Sequence, residues 1–502
     1  MTVLILFAPG WAWAGAVIHS MEVLQQARIP WRIGLYCLLL CALHQQRVYA
    51  FADPRPATSN PNATPDHDVI IIGGSLVGLA TAASVAAQGG LVSAPSLAIF
   101  EKARSIRPIG ALLSLFPNGL AALRSLGHVV SDHVDNVAIP LTTSIIKSGK
   151  DGEVIRVVES STTKGNDDSA NESGNFLCWY ELQQILMKAL PSVDDVINLG
   201  VEFVSYSVDD ETGLVSVKLK DRNNGSHEFN RTCQVLIGAD GVHSSVRSQM
   251  LGKKVKLNSY NRTIFRALLQ PDTLSSSSSS SSSDVLLPPV GTAVIYKSDA
   301  VGQIFKVWTA SNETLAITAT VNSEDSDNDV RTWSQDEAKK RMVDAFADFE
   351  ADEVQNLLQR MPISSIYSNA VSDIDCLDVW CEGPIVVIGD AAHCMTPSLG
   401  QGANIGLEDA VELGHFLHEG FVHADLEQED HMVTIILQEV INEFCAKRLE
   451  RTQEIHSASR VQALNKNKQD TTLGAFRKRD PAFFARLFGW KPTSSPSGQP
   501  QG

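Results

Sequence analysis

The chain has no Cys-x-x-Cys pair, no excess of basic residues and only short apolar runs, and each absence removes a class of function. Of its eight cysteines, Cys37 and Cys41 fall in the first fifty residues, while Cys178, Cys233, Cys376, Cys381, Cys394 and Cys445 are scattered over the body. That spacing builds neither a disulfide framework nor a zinc site, and it excludes a reductase that works through a vicinal thiol pair. Forty-one Lys and Arg stand against 57 Asp and Glu, a formal charge of -16. Neutralising a phosphate backbone needs a basic face, so no nucleic-acid partner is expected. His393 has no second histidine or carboxylate at ligand spacing, so it reads as a turn residue and no metal is expected. What is present is ordinary for a globular protein: 502 residues, 44% of them hydrophobic, enough for a large core in two or three subdomains.

Residues 1–65 read as a targeting leader and linker. Arg28 and Arg32 precede the apolar stretch Ile33–Leu43, which is too short for a bilayer core about 30 Å thick, and Val48-Tyr49-Ala50 offers small residues where a signal peptidase reads them. Phe51 and a Pro/Ser/Thr/Asn-rich tract follow. A signal sequence with such a continuation resembles the bipartite plastid presequence of algae with secondary plastids, and plain secretion is the alternative.

The body opens on strand, glycine turn, helix. Asp68–Ile72 is a short buried-strand run, Gly73-Gly74-Ser75-Leu76-Val77-Gly78 follows at once, and an Ala-rich helical stretch continues to Gln88. In such a unit Gly73 makes the turn, small Ser75 lets backbone approach a pyrophosphate, and Gly78 permits close helix–strand packing. A second strand, Leu97–Phe100, ends in Glu101, placed to hydrogen-bond ribose hydroxyls. Two later strands also run into loops at their carboxyl ends. Val235–Ile237 leads into Gly238-Ala239-Asp240-Gly241 and on to Arg247; Ile385–Ile388 leads into Gly389-Asp390-Ala391-Ala392-His393 and then Gly400-Gln401-Gly402-Ala403-Asn404, which opens a helix. Asp390 can hold ribityl or ribose hydroxyls, and the turn Gly400–Asn404 presents N–H groups to a pyrophosphate or to the O2 edge of a flavin.

In this order the three motifs resemble those of the single-component (group A) FAD-dependent monooxygenases, the family of para-hydroxybenzoate hydroxylase, salicylate hydroxylase, kynurenine monooxygenase and zeaxanthin epoxidase. The resemblance covers roughly residues 66 to 460. It implies an α/β fold with a Rossmann-like FAD-binding domain, discontinuous in sequence, a β-sheet substrate domain and C-terminal helices. The expected segments are 66–136, 176–262 and 380–425 for FAD, 137–175 and 263–379 for substrate, and 426–502 for the helical region and tail. By the family match, Gly73, Ser75, Gly78 and Glu101 bind the ADP half of FAD; Asp240 and Gly241, with Arg247, are tied to FAD and NAD(P)H; and Asp390, Gly400, Gly402, Ala403 and Asn404 bind the ribityl–flavin side. The stretch Arg104–Gly110 makes Arg107 a further cofactor contact. One departure stands out: where many members carry an arginine, this chain has Trp179, followed by Leu182-Gln183-Gln184-Ile185-Leu186, a run similar to zeaxanthin epoxidases. The implied activity uses NADPH or NADH and O2 to hydroxylate or epoxidise an apolar or aromatic small molecule through a flavin C4a-hydroperoxide, with no catalytic side chain assignable. A flavin-dependent halogenase or a non-catalytic FAD-binding module is the rival reading, although the Trp-x-Trp-x-Ile-Pro signature of the tryptophan halogenases is not evident.

Between Arg262 and Asp378 the alternation of Ala293–Tyr296 and Leu315–Val321 predicts sheet strands, interrupted by the serine run Ser275–Ser283, which is expected to be a disordered loop. Met432–Arg460 predicts a long core-packed helix with Arg448 and Arg451 on its solvated face. The aromatic, basic tail Phe483–Trp490 either rests on a membrane surface or packs against the body.

Overall fold

The computed structural model describes residues 64–87, 95–107, 112–159, 174–269, 287–298, 302–310, 314–427, 430–464 and 480–493. The leader and the serine run lie outside them. The expected first strand forms as His67–Ile72 and becomes the centre of a parallel sheet. It pairs on one side with Leu97–Glu101, which in turn pairs with Ile197–Leu199, and on the other side with His227–Gly238, which pairs with Ile385–Val387. Ile70 and Ile71 are fully buried, as a strand covered on both faces requires. Each contributes roughly 1.5–3 kcal/mol by leaving water. Antiparallel strands Val201–Val208 and Val215–Asp221 extend the long strand His227–Gly238. The Ala-rich helix Leu76–Ala87 covers this sheet and packs on the 26-residue helix Gly402–Glu427, where Gly414 lets Ser84 approach: a Cβ there would sit 2.1 Å from its hydroxyl.

The second sheet has seven strands in the order Ile366–Ile374, Leu257–Leu269, Leu315–Asn322, Ile304–Thr309, Thr292–Lys297, Thr143–Ser148, Val154–Glu159. It takes in Leu257, a few residues before the expected boundary at 262, because that strand runs unbroken to Leu269 and pairs with Ile366–Ile374 at both ends. In its central strands the side chains alternate between the two faces. Phe265, Ala267, Phe305, Val307, Ile317 and Ala319 face a core closed by the helices Gln335–Ala345 and Asp352–Arg360, and the intervening residues face the other way.

The long helix predicted from Met432 runs from Asp430 to Leu464, with Leu437, Ile441 and Phe444 fully buried. No helix among the described residues is long and apolar enough to cross a membrane. The short helix Pro481–Phe488 buries Phe483, Phe484 and Leu487 in a cluster with Met395, Leu399, Ile405 and Ile455, and Phe488 stacks on Phe116 at 5.4 Å. Of the two readings of the tail, the structure therefore supports packing against the body; the apolar side chains that a bilayer would have taken are used inside the protein.

Candidate active site

The carboxyl ends of the parallel strands and the outward face of the second sheet border one cleft of about 870 Å³. On the first side, Gly73 sits at φ +111° where a Cβ would lie 2.3 Å from the Ala239 carbonyl oxygen, and a Cβ on Gly78 would meet the Gly73 carbonyl at 2.0 Å. Neither position admits a side chain, so the turn comes tight against its neighbours and leaves Gly74, Ser75, Leu76 and Val77 on the cleft. Glu101 accepts hydrogen bonds from the backbone N–H of Gly74 and of Ala103, both at 2.8 Å, which holds its carboxylate at the rim. Gln183, one turn after Trp179, donates to the Gly74 carbonyl at 3.1 Å. The helix Trp179–Lys188 thus braces the glycine turn while Trp179 lines the cleft.

Ser75, Glu101, Arg107, Gly241, Asp390, Gly400, Gly402 and Ala403 all line the cleft; Gly73, Gly78, Asp240 and Asn404 stand behind it. Asp240 accepts from the N–H groups of Ser245 and Val246 at 2.7 and 3.3 Å, and its Oδ1 is buried without a partner. Arg247, 2% exposed, donates to the carbonyls of Ala391 and Val242, tying the second motif to the third. Asn404 is fully buried. It accepts from Phe116 N–H at 3.0 Å, donates to the carbonyls of Ser114 and Gly400, and lies so close to Gly119 that a Cβ there would be 2.0 Å from its oxygen. Its side chain shapes the loop that carries Gly400 and Gly402. Asp390 opens on the cleft; enclosure by the protein pushes its carboxyl above the usual range, against the pull of His393 and Arg247.

Behind that loop lies a buried charge network that the sequence reading placed in solvent. Arg448, 1% exposed, donates to Asp409 at 2.8 Å and to Glu408 at 2.9 Å. Arg451 forms a fork on Glu408 with two bonds of 2.7 Å. Neither arginine lies on a solvated face: Arg448 is interior and Arg451 is half-buried, because the helix Gly402–Glu427 presents two adjacent acids to this side. Asp409 also accepts from the Gly389 N–H at 3.1 Å and lies 2.5 Å from His393 Nε2. Burial pushes the Asp409 carboxyl up, but the charges and hydrogen bonds of His393 and Arg448 outweigh it and hold the pKa down at about 2. His393 is thus a buried partner of Asp409 that pins the loop.

The second sheet supplies the opposite wall: Arg262, Ile264, Arg266, Lys306, Trp308, Thr318, Thr320, Tyr367 and Asn369. None of these was singled out from the sequence as a site residue, although Thr318 and Thr320 fall in the predicted strand Leu315–Val321 and Arg262 marked a boundary. They carry no motif, and only the pairing of four strands brings them together.

The cradle a Cβ would fill at Gly73, the carboxylates of Glu101 and Asp390 on one cleft, and the unpartnered Asp240 Oδ1 fit an FAD. Gly74–Val77 and Glu101 would hold its adenosine half, and Asp390 with the Gly400–Ala403 turn its ribityl–flavin half. Residues 66–431 match the FAD binding domain family. The chain belongs to this family of flavin-dependent monooxygenases. It is 25% identical over 376 residues to the hispidin-3-hydroxylase of Neonothopanus nambi, covering 72% of this chain and 82% of that one. It is also 25% identical over 395 residues to a 3-amino-4-hydroxybenzoate 2-monooxygenase of Streptomyces platensis, covering 78% and 86%. The fold of Klebsiella pneumoniae HpxO, solved with FAD and uric acid, superposes with a TM-score of 0.61 at 18% identity, covering 86% of this chain and 95% of that one. The enzyme is therefore an FAD-dependent monooxygenase with the α/β architecture the motifs implied.

Proposed function

We propose that this monooxygenase takes reducing equivalents from NADPH or NADH and inserts one atom of O2 into a small aromatic substrate, by hydroxylation. The observation that carries the reading is the continuity of one cleft from Glu101 and Asp390 to the wall of Trp308, Thr318 and Tyr367. FAD, when bound, supplies the electron transfer and oxygen activation. The chain's own residues do the rest. The N-terminus of the helix Gly402–Glu427 directs N–H groups and the positive end of its dipole toward negative charge. Trp179, Leu112, Leu113, Ile264 and Trp308 make the cleft's apolar surface and displace water from the reacting centre. Thr318, Thr320, Tyr367 and Asn369 offer hydrogen bonds that a phenol or heteroaromatic ring uses and that the polyene chain of a carotenoid leaves unpaired. The names of the two relatives, a hydroxylase of hispidin and a monooxygenase of an aminohydroxybenzoate, support the same substrate class.

The test is oxygen uptake by the purified, FAD-loaded chain with NADPH or NADH, in the presence of simple phenols, of plastid xanthophylls, and of a phenol with bromide. A hydroxylated phenol is the expected product. A xanthophyll epoxide or a brominated product would overturn the reading, as would flavin that neither nicotinamide reduces. The same proposal directs the chain to a plastid through residues 1–65, and a fluorescent reporter fused to residues 1–70 that is exported to the medium would contradict it.

A further inference from the structure

The wall of the second sheet carries more positive charge than the protein itself uses. Strand register puts Lys306 opposite Thr318, Thr318 opposite Arg266, and Arg266 opposite Tyr367, one transverse row across four strands. The next row on the same face is Ile304, Thr320, Ile264 and Asn369. With strands about 4.8 Å apart, Lys306 and Arg266 stand roughly 10 Å apart at the backbone with the Thr318 hydroxyl between them. Two long cationic side chains at that separation can close on one anionic group above Thr318.

Neither charge is spent elsewhere. Lys306 has no hydrogen-bond or ion-pair partner among the described residues, and Arg266 has one neutral side-chain partner, Asn369, at 2.6 Å. Arg262, four residues before Arg266 on the same face, is also without a partner among the described residues. The carboxylates among the residues lining the cleft are Glu101 and Asp390. Glu101 is already held by two backbone N–H groups, and Asp390 sits on the cofactor loop. Desolvation pushes the pKa of Lys306 and of Arg266 down, with no opposing carboxylate. The reverse face of these strands is an apolar core, so the structure did not need cations here to fold. Both side chains are half-buried, and unpaired cations partly withdrawn from water are costly and persist where a ligand offsets that cost.

From this we infer that the substrate is an aromatic anion, a carboxylate or an ionised phenol or enol, whose negative group is bound by Lys306 and Arg266 over Thr318, with Trp308 and Tyr367 beside the ring. This rests on the monooxygenase reading and narrows it to a substrate class. An anion could instead come from the phosphates of FAD or of NADPH, and the experiment separates these sources.

Binding of 2-naphthoate and of its neutral isostere 2-naphthamide to the FAD-loaded full chain is measured by calorimetry, which needs no turnover. The acid is expected to bind about tenfold or more tighter than the amide, the effect of one charge-assisted contact. Lys306→Gln and Arg266→Gln should each bring the two affinities together, Lys306→Arg should restore the difference, and the dissociation constants for FAD and NADPH should stay within about twofold of wild type. Equal binding of acid and amide by the wild type overturns the inference. So does a variant that keeps the preference for the acid while losing affinity for FAD or NADPH, since the cations would then serve a cofactor. A chain that takes up no oxygen yet prefers the acid would leave this site standing and sink the monooxygenase chemistry alone.

Discussion

Replacing Arg448 with methionine tests whether the cofactor loop is held from behind by buried charge. The substitution keeps an unbranched chain of similar length but removes the guanidinium that bonds Asp409 at 2.8 Å and Glu408 at 2.9 Å in a site where all three residues are at most 1% exposed. Removing one partner of a buried ion pair costs about 3–5 kcal/mol, because the remaining charge stays buried. Here each acid keeps another donor: Asp409 retains His393 and the Gly389 N–H, and Glu408 retains the fork of Arg451 and the amide of Asn118 at 2.8 Å. The expected loss is therefore at the lower end, about 3 kcal/mol. It should appear as a lower urea midpoint with an unchanged slope, followed by far-UV circular dichroism. Asp409 anchors Gly389, so FAD affinity should fall with stability. Arg486→Ala is the control; that arginine pairs with Glu454 at the surface, where solvent and salt screen the pair, and its loss should leave the urea midpoint close to that of the wild type. An Arg448→Met protein as stable as the control would refute the reasoning.

Glu101→Ala should weaken FAD binding by about 1–3 kcal/mol, read by quenching of flavin fluorescence, because it strips the rim of the acceptor that orders Gly74 and Ala103; undiminished affinity would remove Glu101 from the site. The depressed pKa of Asp409 predicts an acid limb. Its contribution is fully present above the unfolded value near pH 3.9 and is lost as pH falls through its folded value of about 2, roughly 2–3 kcal/mol in all, so Asp409→Asn should flatten urea midpoints over that interval. Phe484→Ala should cost about 3 kcal/mol through the cavity it leaves beneath the terminal helix, while the wild-type protein should fail to float with liposomes; strong flotation would return the tail to the membrane.

What the sequence determined by itself is local. The run Val69–Ile72, the glycines after it and Glu101 at the end of the next strand make a strand–turn–helix whose chemistry follows from short-range sterics, and the same holds for the loops at Asp240 and Asp390. Such units can be read because each rests on a short run of adjacent residues, and three of them in order carried the resemblance that implied the cofactor, the enzyme class and the α/β fold. The tertiary structure decided what depends on partners distant in the chain. Arg448 looks like a surface residue on its own helix and becomes interior only because Glu408 and Asp409 arrive on another. Asn404 stands within a cofactor motif, yet its side chain is consumed by Phe116, Ser114 and Gly400. The terminal aromatics could have faced lipid until Met395, Leu399 and Ile455 covered them. The cationic wall of Lys306 and Arg266 has no motif at all: strand alternation assigns each residue to a face, but only the pairing of four strands places those faces side by side across the cleft from the flavin-binding loops.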